Sequence, residues 1–311
     1  MVFQRDVIYL WDSKSIHGIL GKLIEKSIEK GLMLSALATV LTTVSILGIL
    51  LFEAVDFFRD VSIFDFLTDT QWTPLFDDKH FGILPLLSGT FITSLVAIVL
   101  ALPLGLSIAI FLNEYAHKNT RKIFKPLLEL LAAVPTVIYG FFALVIVTPF
   151  LQSFIPGLAG FNSLSAGLVM GIMIIPFISS LSEDALFAVP KNLREASYAM
   201  GATRFQTVFK VTIPAASSGI IVSVILAISR AIGETMIVAI AAGQQPRLTL
   251  NPLVPVETIS AYIVQVSLGD VPHNSLEYQT IFVAGITLFA FTFLLNNISF
   301  RLRKKYREKY E

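Results

Sequence analysis

The chain has no cysteine. That absence removes disulfides, cysteine-ligated zinc, iron–sulfur clusters and thiol nucleophiles from consideration. Charge is also scarce: 14% of the 311 residues are Asp, Glu, Lys or Arg, against roughly 25% in a soluble globular chain. With 55% hydrophobic residues and a mean hydropathy of +0.76, the polar surface is too small for a soluble enzyme or nucleic-acid binder. The four histidines, His17, His80, His117 and His273, are scattered over four separate loops, so no metal cluster or histidine proton relay assembles from the sequence. A Walker loop needs a glycine five positions before Gly-Lys. At Gly21-Lys22 that position is Ile16, and Leu23 stands where Ser or Thr is required.

What is present is a series of long apolar runs. A bilayer core about 30 Å thick needs about 20 largely apolar helical residues, and six stretches qualify: Gly31 to Phe52, Ile83 to Leu112, Leu127 to Phe150, Leu164 to Leu181, Ala215 to Gly243 and Gln279 to Phe300. The expected class is an all-α polytopic membrane protein with six transmembrane helices. Pro85 and Pro103 interrupt the second run, and Arg230 and Glu234 the fifth, which predicts kinks or tilt.

Basic residues alternate between the two sides. Arg5, Lys14, Lys22, Lys26 and Lys30 precede the first run, and Lys118, Arg121, Lys122 and Lys125 lie between the second and third. Lys191, Arg194, Arg204 and Lys210 lie between the fourth and fifth, and Arg301 to Lys309 follow the sixth. The alternate segments hold only Arg59, Lys79 and Arg247. The positive-inside rule then puts both termini in the cytoplasm of a plasma or inner membrane. No short apolar core precedes a cleavage site, so no cleavable signal is expected. Residues 1–30 read as a cytoplasmic N-terminal segment in which Ile16, Leu20, Leu23, Ile24 and Ile28 recur at helical spacing. This is either an amphipathic helix on the inner surface or a helical lead-in packed on other protein. Residues 31–300 form the six-span domain, and 301–311 a basic cytoplasmic tail. The external stretch Glu53 to Gly82 is acidic, with Glu53, Asp56, Asp60, Asp65, Asp69, Asp77 and Asp78 against Arg59 and Lys79.

The loop at residues 183–214 is unusually organised. Asn192 followed by Glu195 predicts a capping box and a short helix; Gly201 supplies a left-handed turn; Thr203 with Gln206 is a second capping box. Phe205, Val208 and Phe209 then make an apolar face, and Pro214 is expected to end the helix before the fifth span. Such a pair of helices either seats in a partner's groove or packs on its own protein.

Glu195-Ala196-Ser197, three residues, Gly201, nine residues and Val211-Thr212-Ile213-Pro214 resemble the EAA loop of ABC-importer permeases, with Ser197 for the usual second alanine and Val211 and Ile213 for the usual isoleucine and leucine. The stretches Phe81 to Ala116, Val134 to Leu144 and Ser229 to Val238 resemble the phosphate-specific permeases of the PstC type. The phrase PTVIYGFF and the long first external segment with Trp72-Thr73-Pro74 favour that type over its PstA-type sister. The resemblance implies a type I ABC importer permease fold with cytoplasmic coupling helices. It implies a PstA-like partner permease, two PstB-like ATPase subunits and a PstS-like external phosphate-binding protein. ATP and Mg would sit on the partner ATPase, with no cofactor on this chain. Glu195, Ala196, Gly201, Phe205, Phe209 and Pro214 become the ATPase-coupling residues.

Arg230 and Glu234 are four apart in the fifth run. An arginine at mid-bilayer costs about 2.5 to 3.5 kcal/mol on insertion scales, which marks it for function with a named partner. Two readings stand: Arg230 serves an oxyanion pathway with Glu234 tuning it, or the pair locks helices together. The small and hydroxyl residues of the second and fifth runs serve close helix packing in either case. Rival functions are an ABC permease for another oxyanion, an ion-coupled secondary anion transporter and, less well supported by a single glutamate without a histidine or second carboxylate, a membrane-embedded enzyme.

Overall fold

The computed structural model describes the backbone of residues 6–273 and 275–305, and the side chains of residues 25–273 and 275–302. The chain divides into two units, Met1–Phe52 and Glu53–Glu311. The first unit is helical: α1 (Asp6–Asp60) passes residue 30 without a break, so the boundary expected there between a surface helix and a span is not a break in the backbone. The side chains of the expected amphipathic face mostly lie outside the described residues, as does the tail beyond Lys305. Within α1 the hydroxyls of Ser35, Thr39, Thr42 and Thr43 donate to the carbonyls of Gly31, Ser35, Ala38 and Thr39 at 2.9–3.0 Å. Each of these four hydroxyls is thus satisfied within its own turn, which a lipid environment favours.

The second unit follows as α2 (Ile63–Thr68), α3 (Leu84–Ile110), α4 (Lys118–Ala133), α5 (Thr136–Phe142), α6 (Thr148–Gln152), α7 (Ser163–Phe187), α8 (Lys191–Ala199), α9 (Arg204–Thr207), α10 (Ile213–Ile232), α11 (Met236–Ala241), α12 (Ile259–Ser267) and α13 (Leu276–Lys305). Five helical stretches among the described residues are long and apolar enough to cross a membrane: Glu25–Asp60, Leu84–Tyr115, Ser163–Phe187, Arg204–Ile232 and Leu276–Leu302. A bent pair, Lys118–Ala133 with Thr136–Gln152, makes six.

The third run is therefore not the straight span expected from its hydropathy. It bends by 86° between α4 and α5, because Pro135 drives Val134 before it into extended backbone (ψ 129°) and starts α5 afresh. Tyr139 Oη donates to the Leu131 carbonyl at 2.7 Å across the bend and pins it. The fifth run is also broken. α10 ends at Ile232, Gly233 caps it, and α11 starts at Met236.

Pro214 does not stop the helix, contrary to expectation. A π-helical turn at Val208–Thr212 precedes it, with the Ile213 N–H bonded to the Val208 carbonyl, and α9 runs on into α10. The same device, Ala143–Val147, precedes Pro149 in the helix from α5 to α6. The wider turn relieves the clash between a proline ring and the carbonyl four residues back that would otherwise break the helix.

At the centre α3 packs along α7, burying Ala97, Ala101, Val169, Met170, Ile174 and Ile178. A second core closes the end where α1 leaves the apolar span: Phe57, Phe66, Trp72, Ile83, Leu86, Ile259, Tyr262 and Val283 pack together, with the Trp72 and Tyr262 rings edge to face at 5.1 Å. The acidic segment is thus folded, and Ser62 caps α2 within it. α12, nine residues long and too short to cross a membrane, is buried here; the Thr90 hydroxyl accepts from its first N–H, that of Ile259, at 3.1 Å. Gly89 lets the two backbones meet, since a Cβ there would lie 2.1 Å from the Glu257 carbonyl oxygen.

Candidate functional site

Two features carry candidate chemistry: the paired short helices after α7 and a cavity between α4, α7 and α10. In the first, α8 starts behind Pro190, not at a capping box of Asn192, whose side chain accepts only from the Leu193 N–H at 3.0 Å. Proline pre-sets the backbone for a helix start, so it wins the position. Gly201 takes φ +81°, the left-handed turn expected of it. Thr203 and Gln206 make the expected capping box, at 3.3 and 2.9 Å. A Ser197–Thr207 hydroxyl contact of 2.9 Å clasps the two helices.

This loop is anchored on one side and open on the other. Arg194 donates to the Leu186 carbonyl at 2.6 Å and stands 3.1 Å from the Glu114 carboxylate, while Thr207 and Val208 are fully buried. Val208 therefore belongs to the anchored side and not to the apolar face expected to contain it. Phe205 and Phe209 are 62% and 50% exposed with ring centroids 4.5 Å apart, and Met200 is 89% exposed. Glu195, Ala196 and Pro214 are exposed too.

The cavity, about 260 Å³, is lined by Lys125 and Glu129 of α4, Pro176, Phe177, Ser180 and Glu183 of α7, and Arg230 of α10. Arg230 is exposed, its guanidinium 5.8 Å from the centre of the Phe177 ring. Glu183 is only 1% exposed; Arg121 Nη2 lies 2.6 Å from its Oε1 and Lys125 Nζ 3.4 Å from its Oε2.

Arg230 and Glu234 are not paired on one helix face, as the four-residue spacing had led us to expect, because the helix ends between them. Glu234 turns inward, 9% exposed, and its Oε1 accepts from the Met236 and Ile237 N–H groups at 3.2 and 3.4 Å. Its backbone carbonyl accepts from Ser260 Oγ at 2.6 Å. It shapes the break; Arg230 faces the cavity alone among the residues of α10.

Hydropathy ends the fourth run at Leu181 and leaves Glu183 in the loop that follows, so the sequence alone does not single it out. α7 continues to Phe187 and carries it inside. The signal was there in Arg121 and Lys125, four apart and so on one face of α4, with a carboxylate to find. Chemically the cavity offers two cations, Arg230 and Lys125, tempered by Glu129 and Glu183.

The family described as binding-protein-dependent transport system inner membrane component matches residues 101–308. The probable ABC transporter permease protein YqgH of Bacillus subtilis is 37% identical over 234 residues, 75% of each chain. The phosphate transport system permease protein PstC of Mesorhizobium japonicum is 37% identical over 254 residues, 75% of this chain and 76% of that one. Its probable counterpart in Methanocaldococcus jannaschii is 33% identical over 282 residues, 85% and 89%. Among solved structures, a chain of a bacterial ABC transporter importing alginate matches with TM-score 0.56 and 18% identity over 89% of this chain and 98% of that one. One of the MetNI methionine ABC transporter, inward facing, matches with TM-score 0.53 and 21% identity over 73% and 95%. These shared folds are those of type I importer permeases.

Proposed function

The chain belongs to the inner membrane component family of binding-protein-dependent transport systems, and we propose that it is the permease subunit through which an ATP-driven importer passes inorganic phosphate into the cytoplasm. The observation that carries the substrate is the likeness, over three quarters of the chain, to a permease named for phosphate transport. As a permease it is a transport component. ATP and Mg bind on two partner ATPase subunits, a sister permease of the PstA type completes the pathway, and an external phosphate-binding protein delivers the anion.

The termini and the α8–α9 pair face the cytoplasm in this reading, as the basic residues of α4, α8 and the C-terminal end of α13 require. The ATPase grips the exposed Phe205, Phe209 and Met200 patch, with Glu195, Ala196 and Pro214 at its edge and Gly201 setting the angle between the helices. Arg230 and Lys125 draw phosphate along the cavity by charge-assisted hydrogen bonds. Glu234 holds open the helix break beside Arg230.

Uptake of labelled phosphate into proteoliposomes containing the full complex tests this. Uptake should require ATP inside, binding protein outside, and phosphate in preference to sulfate. Sulfate preferred over phosphate would reassign the substrate, and uptake by this chain alone on an ion gradient would make it a secondary transporter. Because the chain has no cysteine, Asn251→Cys and Arg204→Cys each provide one thiol at an exposed position. An impermeant reagent on intact cells should label the first and spare the second; the reverse pattern would invert the orientation.

A further inference from the structure

At the end of the bundle opposite α8 and α9, a cavity of about 160 Å³ opens between the folded acidic segment, the stretch after α11, and α12. Its walls carry the apolar Pro74, Leu75, Phe76 and Pro246 beside Thr73, Gln244 and Gln245. Leu75 and Phe76, 45% and 66% exposed, stand at the mouth. Its floor is polar. Glu257, 2% exposed, has an Oε1 without a hydrogen-bond partner, and so has Gln265. Burial pushes the Glu257 carboxyl up to about 8. A buried carboxyl and a buried amide oxygen left open in one cavity are costly, as is the unpartnered Nε1 donor of Trp72 in the same lining; a donor from outside would relieve the two oxygens.

The occupant can be narrowed by chemistry. An anion is disfavoured by the open acceptor oxygens of the floor and by Asp77 and Asp78, both exposed and following Phe76 in the sequence. A bare metal ion would use the two floor oxygens but gains nothing from the four apolar wall residues, and no cluster of three metal-ligating side chains occurs among the described residues. Water fits the volume, at about 30 Å³ each, but also leaves the walls unused. An aliphatic amine uses both parts: its methylene stem lies against the prolines and Phe76, and its ammonium donates to Glu257 and Gln265. Entry of the cation turns the floor carboxyl into a carboxylate, and Asp77 and Asp78 steer it in.

We propose that this cavity receives a lysine side chain of the external binding protein when it docks. The proposal rests on the importer reading above, in which this end of the bundle faces outward. Leu75 and Phe76 would form the apolar rim around the inserted residue, and Glu257 the buried charge at its tip, the arrangement of an interface anchor.

The test uses the full complex in nanodiscs, with the affinity of the phosphate-loaded binding protein as the readout. Glu257→Gln keeps the shape and removes the charge; it should raise Kd at least tenfold. Phe76→Ser, at an exposed position that costs the fold little, should raise Kd by a smaller factor. On the parental complex, a carbodiimide should link the Glu257 carboxyl directly to one lysine of the binding protein, located by mass spectrometry. Parental Kd in both variants, or no link at Glu257, overturns the proposal; if Glu257→Gln does not assemble, Phe76→Ser and the link decide. Unchanged Kd alongside normal ATP-driven phosphate uptake removes only this docking pocket. Uptake that never depends on a binding protein removes the importer reading itself.

Discussion

Arg121 Nη2 lies 2.6 Å from Glu183 Oε1, and this contact joins α4, an amphipathic helix with no buried residue, to the buried core of α7. Lys125 reaches the other oxygen of the same carboxylate. At the same end the Arg121 guanidinium stands 5.5 Å from the centre of the Phe187 ring, and the Phe124 ring lies 6.5 Å from that of Phe111.

Removing both cations, Arg121→Gln with Lys125→Gln, strands a buried carboxylate. The loss should be on the order of 3 kcal/mol, the lower end of what breaking buried pairs costs, since the cations are half-exposed. Adding Glu183→Gln removes the stranded charge and should restore most of the thermal stability of the purified complex. A triple variant as unstable as the double would show that the charges do not hold α4.

Arg230 and Glu234 act separately, so their variants should combine additively. Arg230→Gln should slow phosphate uptake at least tenfold, and Arg230→Lys should keep part of it. Glu234→Gln should act mainly on stability, by about 1 kcal/mol, through weaker acceptance from the first two N–H groups of α11. Restoration of uptake in the double variant would instead show a coupled pair.

Gly201→Val places a β-branched residue at φ +81°, a local cost of about 1–2 kcal/mol. Binding-protein-stimulated ATP hydrolysis should fall sharply while the permease still inserts. Phe205→Ser, at a 62% exposed position, should reduce co-purification of the ATPase without changing the melting temperature of the permease pair.

Gly89→Ala drives a methyl into the Glu257 carbonyl oxygen. The expected destabilisation is about 1–3 kcal/mol, read as a lower melting temperature. An unchanged value would mean the stretch before α12 shifts freely.

Much of this was legible in the sequence, for stated physical reasons. Length and hydropathy place the spans, and Gly201 with the Thr203–Gln206 box fixes the turn between α8 and α9 from purely local rules. The failures share a cause. Hydropathy sums over a window and is blind to a backbone break inside it, so the bend at Pro135 and the end of α10 at Ile232 were both read through. The second error carried over to the site, since Arg230 and Glu234 share a face only if the helix continues. Glu183 and Glu257 needed tertiary partners to be recognised: one is defined by two cations on another helix, the other by having no partner among its neighbours.

The π turn at Val208–Thr212 holds one residue more than the α turn it replaces. Each residue of an α-helix advances about 100° around its axis. The direction in which Phe205 points, seen down the axis from Arg230, is therefore set by a count of residues as much as by their chemistry. Deleting one residue between 208 and 212 would be absorbed by conversion of the π turn into an α turn, leaving Phe205 on nearly the same side of the axis, whereas a deletion between that turn and Arg230 would swing Phe205 by about 100°.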